Sequence, residues 1–239
     1  MRALVVTPTY NEIENIEAFL TTFLDATQNI DILIVDDASP DGTADAAEKL
    51  KEKEPRIHVM RRVGKRGLGL AYVDGFKWAL EHNYDAVFSM DADLSHDPRD
   101  IPRLMALLEE CDVVVGSRYV GGRVSVINWP ISRLLLSVLA GRYVRLVTGL
   151  RLSDPTSGFR GFRTKVLSAI ELDTIKSNGY SFQVETLYRA QRCGFKITEA
   201  PIIFTERREG KSKMSIPIIL EAAIMPWRLR VKPFKPKKS

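Results

Sequence analysis

A short apolar run that gives way to a polar loop and then to a helical pattern recurs through the first half of the chain, and this rhythm constrains the fold most. Ala3-Leu4-Val5-Val6 has the continuous hydrophobicity of a strand buried on both faces. It ends at Thr7-Pro8-Thr9-Tyr10-Asn11-Glu12, where Asn11 is placed to cap a helix whose Ile16, Phe19, Leu20, Phe23 and Leu24 share one face. Ile32-Leu33-Ile34-Val35 repeats the pattern, followed by Asp36-Asp37-Ala38-Ser39-Pro40-Asp41-Gly42-Thr43 and a helix from Ala44 to about Lys53. A third strand near Ile57 to Met60 leads through Gly64-Lys65-Arg66-Gly67-Leu68-Gly69 into a helix over Leu70 to Leu80. Further strands are expected at Asp85 to Met90 and Asp112 to Gly116. Such alternation implies an α/β fold, a mostly parallel sheet flanked by helices, with its ligand beyond the carboxyl ends of the strands.

Every polar motif in that half falls at such an end, and the most telling is Ser89-Met90-Asp91-Ala92-Asp93-Leu94-Ser95-His96-Asp97-Pro98. Two carboxylates one residue apart, where a strand frays into a loop, can turn toward one hard divalent cation. Mg²⁺ or Mn²⁺ fits oxygen ligands of this kind, and Mg²⁺ takes much of its shell from water and substrate phosphates. Asp91 and Asp93 are therefore candidate metal ligands, and a diphosphate-bearing substrate is expected. Acidic pairs also make turns and caps, so the pair alone decides little. Asp37 is placed to meet a base or ribose, unless Asp36 and Asp37 only shape the turn with Pro40 and Gly42. Gly67-Leu68-Gly69 follows the third strand and lacks the full Gly-x-Gly-x-x-Gly spacing, which argues against a dinucleotide oxidoreductase; no Walker A loop is found either.

With 239 residues, of which 45% are apolar, the chain can bury a full core. Cys111 and Cys193 lie far apart without a Cys-x-x-Cys motif, so neither a disulfide framework nor a zinc site is expected and a reducing cytosol is the default. The amino terminus enters a strand directly, so no signal peptide is expected. Arg133, Arg142 and Arg145 interrupt the apolar stretch from Ile131 to Leu150, which therefore does not read as a membrane span. Within it, Arg133 and Ser137 form an i, i+4 pair able to offer a cation and a hydroxyl to one phosphate, with Trp129, Leu134, Leu135, Leu136 and Val138 beside them as a lipid path. The alternative is an ordinary amphipathic helix with Arg133 in solvent. Gln183 and Glu185 open a later helix, where they either face sugar hydroxyls or cap it. Arg207, Arg208, Lys211 and Lys213 surround Gly210 in a loop that either closes over phosphates or is a solvated face.

The chain is expected to divide into an α/β domain over 1–213, an amphipathic helix over 214–228 and a basic tail over 229–239. Ile216, Ile219, Leu220, Ala223 and Trp227 mark the helix, with Pro217 in its first turn and Pro226 expected to halt it. Trp227 and the basic residues from Arg228 to Lys238 suit an interfacial anchor, whereas core packing accounts for the apolar face equally well. The tail itself either meets anionic lipid or nucleic acid or simply keeps the protein soluble.

Pro8-Thr9-Tyr10-Asn11-Glu12, Asp36 to Thr43 and Asp91-Ala92-Asp93, at these intervals, resemble an inverting family 2 glycosyltransferase with the GT-A (Rossmann-like) fold. Gly116-Ser117-Arg118-Tyr119, Asp154-Pro155-Thr156-Ser157-Gly158-Phe159-Arg160 and Arg207 to Lys213 narrow the likeness to dolichyl-phosphate (polyprenyl-phosphate) mannose synthases, from about residue 2 to residue 225. The resemblance implies that Pro8, Tyr10, Glu12, Val35 and Asp37 hold the guanosine part of GDP-mannose. It implies that Asp91, Ala92 and Asp93 meet the diphosphate and an Mg²⁺ or Mn²⁺ ion, and that Arg118, Arg207 and Lys213 surround the diphosphate and the acceptor phosphate. Arg133 and Ser137 match an acceptor-phosphate pair. Ser95 departs from the pattern: many relatives place Gln there as a third metal ligand, and the shorter serine leaves a water to complete the shell.

The expected activity is metal-dependent transfer of mannose, with Asp93, Arg118, Arg207 and Lys213 as the catalytic set and polyprenyl or dolichyl phosphate as acceptor. The expected location is the cytoplasmic face of a membrane, held by the helix and by an embedded anchoring subunit. The competing readings are the same chemistry with UDP-glucose and, from another class, a basic nucleic-acid-binding module. Clustered carboxylates argue against the latter, because they repel a phosphate backbone, and nucleic acid is not an expected partner.

Overall fold

A computed structural model gives the fold for residues 1–64, 67–205 and 216–236. The first apolar runs form β1 (Ala3–Thr9), β2 (Ile30–Asp36) and β3 (Ile57–Arg61), separated by α1 (Ile13–Ala26) and α2 (Thr43–Lys51). They are followed by α3 (Leu68–Glu81), β4 (Ala86–Ser89), α4 (Ile101–Leu107), β5 (Val113–Ser117), β6 (Val126–Ile127), α5 (Ile131–Thr148), β7 (Arg160–Arg163) and α6 (Thr164–Ala169). The chain ends in α7 (Gly179–Arg192), β8 (Ile197–Pro201), β9 (Phe204–Thr205) and α8 (Ile216–Val231). Seven strands make one sheet in the order β3-β2-β1-β4-β7-β5-β8, while β6 and β9 pair separately. All pairings in the large sheet are parallel except those of β7, which runs antiparallel between β4 and β5.

Alternation along each strand sends side chains into two cores. Leu4 and Val6 of β1 join Tyr72 and Phe76 of α3 and Phe182 of α7, whereas Ala3 and Val5 join Ile16, Phe19, Leu20 and Phe23 of α1. The α/β architecture read from the sequence is therefore present, with helices on both faces.

The antiparallel β7 decides what gathers at the ligand-bearing edge. Its first residue, Arg160, lies opposite Ser89, the last residue of β4, so the loop before β7 comes to the edge where the parallel strands end. The Ser89 hydroxyl donates to the Gly158 carbonyl at 2.7 Å and fixes this approach. Periodicity did not reveal β7, since four residues with two arginines and a glycine carry no apolar run.

Two local expectations are corrected. Asn11 does not cap α1: it takes a left-handed φ of 56°, and Glu12 precedes the helix without a capping side chain. The Ile13 amide instead donates to Asp41 at 3.1 Å and the Glu12 amide to Thr43 at 2.9 Å, so the loop after β2 serves the helix after β1. Pro226 does not halt α8, which continues through it to Val231, three residues beyond the expected end at 228. The Tyr143 hydroxyl donates to the Ala223 carbonyl at 2.5 Å, in the turn that the proline ring disturbs.

Gly75 lets α3 lie close on the sheet: a Cβ there would stand 2.4 Å from Val6 Cγ1 and 3.2 Å from Val35 Cγ2. Gly→Ala in a helix interior ordinarily gains about 1 kcal/mol, but overpacking against stiff β-branched side chains costs about 1–3 kcal/mol. Gly75→Ala is therefore expected to lower the midpoint of urea unfolding, and an unchanged or raised midpoint would show that the α3 contact is loose.

Candidate active site

Three loops meet because β2, β1 and β4 are neighbours in parallel register. Pro8 lies beside Val35 and Thr9 beside Asp36, and the Met90 amide donates to the Val6 carbonyl at 3.2 Å. Pro8, Tyr10, Glu12, Val35, Asp37, Asp91, Ala92 and Asp93 thus come from adjacent strand ends. Val35 is fully buried in the core, so it can offer a ligand only its backbone.

The acidic residues after β2 have different tasks. Asp36 is buried and accepts from the Thr9 hydroxyl at 3.0 Å, the Ser39 amide at 2.9 Å and the Ser39 hydroxyl at 2.6 Å. It is a fastening for the loop, as the turn-making reading anticipates. Asp37 accepts from Arg62 Nη1 at 2.6 Å and from the Gly67 amide at 2.8 Å, and Arg62 also holds Asp74 at 2.9 Å. A buried arginine therefore sets the carboxylate that sequence reasoning assigns to a base or ribose, and nothing in the motif pointed to it.

Asp91 and Asp93 share the loop after β4, where Leu94 takes a left-handed φ of 58° and turns the chain back. Asp91 Oδ1 accepts from the Tyr72 hydroxyl at 3.2 Å. Burial, and then the Asp91 charge, hold the Tyr72 phenol well above its ordinary pKa, so it stays a donor. Asp93 Oδ1 accepts the Ser95 amide at 3.1 Å and the Ser95 hydroxyl at 2.5 Å. Ser95, expected as a third metal ligand, here orients Asp93. Among the described residues no group of three His, Cys, Asp or Glu side chains is arranged to hold a metal. The donor set is two oriented carboxylates, which suits a hard cation that completes its shell with water and phosphate oxygens.

Beneath the pair lies Arg160, fully buried, with Nη1 donating to the Gln183 carbonyl at 2.9 Å and to the Thr186 hydroxyl at 2.8 Å. Burial pulls its pKa down to about 10, against the charge of Tyr72 and Asp91, which leaves it cationic near neutrality. A Cβ at Gly158 would stand 3.4 Å from Asp91 Oδ2 and 3.8 Å from both Gln183 Nε2 and His96 Nε2. Glycine thus keeps the space beside Asp91 open. Arg160 Nε and Nη2, Gln183 Oε1 and His96 Nδ1 are buried without hydrogen-bond partners among the described residues. Orphaned buried polar atoms are costly and mark a place for a polar ligand. Burial holds His96 at about 4 despite the nearby Asp93, so its imidazole is neutral near pH 7. Glu185 accepts from Ser177 at 2.6 Å and from Arg189 Nε at 3.0 Å, so of the two residues weighed for the sugar, only Gln183 borders this space.

On the other flank, Asp154 takes Arg118 through Nε at 2.6 Å and Nη2 at 2.7 Å, and Thr156 adds a contact at 3.0 Å. Burial opposes the Arg118 charge, but Asp154 outweighs it and raises the pKa above the ordinary arginine value. The guanidinium lies 5.5 Å from the ring centres of both Trp129 and Phe204, and Arg133 covers Trp129 at 4.5 Å. Tyr119, which follows Arg118, donates to the Ser137 hydroxyl at 2.8 Å. Arg118, Arg133 and Ser137 are thus brought together through Trp129 and Tyr119, a connection the sequence did not announce. Arg207 and Lys213 lie outside the described residues.

Removing one partner of a buried ion pair strands the other charge, at about 3–5 kcal/mol. Asp154→Asn is therefore expected to depress thermal unfolding by several degrees, and a variant as stable as the parent would refute the pairing. Tyr72→Phe removes only the hydroxyl that steadies Asp91. It should raise the Mn²⁺ concentration needed for half-saturation about tenfold, the low end for residues that support a ligand, as read by metal-binding calorimetry; unchanged affinity would detach Tyr72 from the site.

Residues 4–171 match the family model described as glycosyl transferase family 2. An undecaprenyl-phosphate mannosyltransferase of Micrococcus luteus is 47% identical, over 94% of this chain and 92% of its own length. A polyprenol monophosphomannose synthase of Mycolicibacterium smegmatis is 44% identical, over 96% of this chain and 88% of its own. A dolichol-phosphate mannosyltransferase of Pyrococcus furiosus is 39% identical over 92% of this chain, which spans 61% of that protein. Among solved structures, a mannosyltransferase of Pyrobaculum calidifontis in complex with GDP-Man and Mn²⁺ aligns at TM-score 0.58 and 19% identity, over 94% of this chain and 69% of its own. Glucosyl-3-phosphoglycerate synthase of Mycobacterium tuberculosis, bound to Mn²⁺, UDP and phosphoglyceric acid, aligns at 0.66 and 18%, over 98% and 79%. At these identities the structural likeness shows the fold alone, which is GT-A. The loops at the edge of the sheet, the match over most of the domain and the similarity along nearly the whole chain lead to one statement: this protein belongs to glycosyl transferase family 2.

Proposed function

We propose that the protein transfers mannose from GDP-mannose to a polyprenyl or dolichyl phosphate with inversion, giving polyprenyl phosphate β-mannose. The observation that carries this is the oriented pair Asp91 and Asp93, set beside a basic aromatic cluster built on Arg118, Trp129 and Arg133. The names of the relatives agree with it.

Pro8, Tyr10, Glu12 and Asp37, with the Val35 backbone, bind the guanosine. Asp91 and Asp93 hold Mg²⁺ or Mn²⁺, which when bound neutralises charge on the departing diphosphate. Arg207 and Lys213 contribute positive charge to that diphosphate. Arg133 and the Ser137 hydroxyl hold the acceptor phosphate, and Arg118 directs it toward the anomeric carbon. The acceptor needs no protein base, because a phosphate monoester, with a second pKa of about 6, is already largely dianionic and nucleophilic. Catalysis then rests on alignment for in-line attack and on charge stabilisation.

No helix among the described residues is long and apolar enough to cross a membrane. Yet α5 and α8, which pack on one another, turn leucines outward: Leu135, Leu136 and Leu139 on α5, and Leu220, Ile224, Trp227 and Val231 on α8, are exposed. In α8 the opposite face buries Met225 and Leu229, so the core-packing and interfacial readings each describe one side of the helix. This surface seats the protein on the cytoplasmic face of a membrane, with an embedded subunit adding to the hold.

Incubation with Mn²⁺, short-chain polyprenyl phosphate and a panel of nucleotide sugars tests the reading. Mannosyl transfer from GDP-mannose is expected, falling at least about a hundredfold in Asp93→Ala even at excess metal. Efficient use of UDP-glucose in place of GDP-mannose, or near-parental activity of Asp93→Ala, would overturn it.

A further inference from the structure

Beside the cluster just described, a cleft of about 300 Å³ opens between α5 and the loop after β5, and its chemistry is one-sided. Arg123 reaches it from the loop, Arg142 and Arg145 from α5, and Tyr119, Ser137 and Ser153 complete the polar lining. No acidic residue lines it, and among the described residues none of the three arginines is paired with a carboxylate. Three other arginines with little exposure have carboxylate partners: Arg62 has Asp37 and Asp74, Arg118 has Asp154, and Arg189 has Glu185. Converging guanidinium groups repel one another unless an anion sits among them.

A second observation points the same way. Arg145 Nε is buried and has no acceptor, an arrangement that costs free energy until a ligand oxygen supplies one. Planar, forked donors with a hydroxyl beside them suit the oxygens of a phosphate. What borders the cleft identifies the rest of the ligand. Leu135, Leu136 and Leu139 on the same helix are between 57% and 59% exposed, and Leu146 is 85% exposed. A free phosphate has no use for such a rim, whereas a headgroup with an acyl or isoprenoid chain covers it.

We propose that Arg123, Arg142 and Arg145 form a binding site for a lipid-borne phosphate, distinct from the carboxylate pair, that orients the protein on an anionic bilayer. The inference deepens the membrane-surface reading above and rests on it, but not on the sugar transferred. Arg123 and Arg142 are exposed, so their replacement leaves the fold intact.

The test is sedimentation of the full chain with three kinds of vesicle: phosphatidylcholine alone, phosphatidylcholine with phosphatidylglycerol, and phosphatidylcholine with polyprenyl phosphate. Each basic residue at an anionic surface contributes roughly fivefold to partitioning. The double variant Arg123→Gln/Arg142→Gln should therefore bind about 25-fold more weakly to a phosphate-bearing vesicle and as the parent does to phosphatidylcholine. Arg145→Gln should show a loss in the same direction. Lys49→Gln/Lys53→Gln, which removes equal charge on α2 and just beyond its end, should bind like the parent. Loss on phosphatidylglycerol identifies a bilayer phospholipid as the ligand, whereas loss confined to polyprenyl phosphate would make the cleft part of the acceptor subsite and overturn a separate site. Parental binding by the arginine variants, an equal loss in the lysine variant, or suppression of the parent's binding by millimolar inorganic phosphate in the absence of any anionic-lipid preference would overturn the site. A parent that binds none of the vesicles would instead overturn the membrane-surface reading.

Discussion

Carboxylates gathered at one edge of a sheet repel one another, and the surroundings of each one here answer that cost in a different way. Asp36 is neutralised in effect by three short donors from Thr9 and Ser39. Asp41 serves two backbone amides and a hydroxyl, which together outweigh burial and hold its pKa below the ordinary value. Asp37 has Arg62, and Asp154 has Arg118. Asp91 and Asp93 differ, because Tyr72 and Ser95 orient them with neutral donors. A buried cation that feels the Asp91 charge, Arg160, is committed to Gln183 and Thr186 through its Nη1. The edge thus separates acids that hold the loops in place from a pair oriented by a phenol and a serine, two carboxylates of the hard-oxygen kind that suit a divalent cation.

Much of this was legible in the chain, and the reason is local. Val, Ile and Leu runs ending in acidic loops carry their own strand ends, so the positions of Asp37, Asp91 and Asp93 follow once the strands are parallel. What stayed hidden depends on long-range contacts. Arg62 and Asp37 are 25 residues apart, and Arg118 and Asp154 are 36 apart, so neither pair has a spacing to read. The cap of α1 was missed for the same reason: Asn11 has the right chemistry, but Asp41 and Thr43 across the loop do the work. Nothing in the stretch from Asp154 to Arg160 signals that its arginine is buried, and the insertion of β7 into the sheet is what buries it.

The two apolar helices show a different limit. Periodicity identifies a hydrophobic face but not which side of the helix that face takes. In α5 the packed stripe includes Gly141, Val144 and Val147, while larger leucines point away from the core. A helix that buries its small residues and exposes its large ones has its apolar surface prepared for something other than its own protein. In α8, polar ties at Tyr143, Asn178 and Tyr188 hold the helix to α5 and α7, which frees its outer apolar residues from a packing role.

The Arg118 pair bears on how an anionic acceptor reaches the site. Nε and Nη2 are both spent on Asp154, so the pair is close to electroneutral and directs hydrogen bonds without adding attraction at a distance. Long-range attraction must then come from cations without carboxylate partners, and among the described residues Arg123, Arg142 and Arg145 are of that kind. Arg142 and Arg145 lie on α5, the helix that also exposes leucines, and Arg123 faces them from the loop after β5, so the field that draws in a phosphate and the surface that accepts its lipid chain are neighbours. The acidic pair, by contrast, discourages a bare anion until a metal is bound. On the proposed reaction, such a division places metal and donor at the strand ends and the acceptor phosphate on the basic side, so that charges of opposite sign meet only at the anomeric carbon.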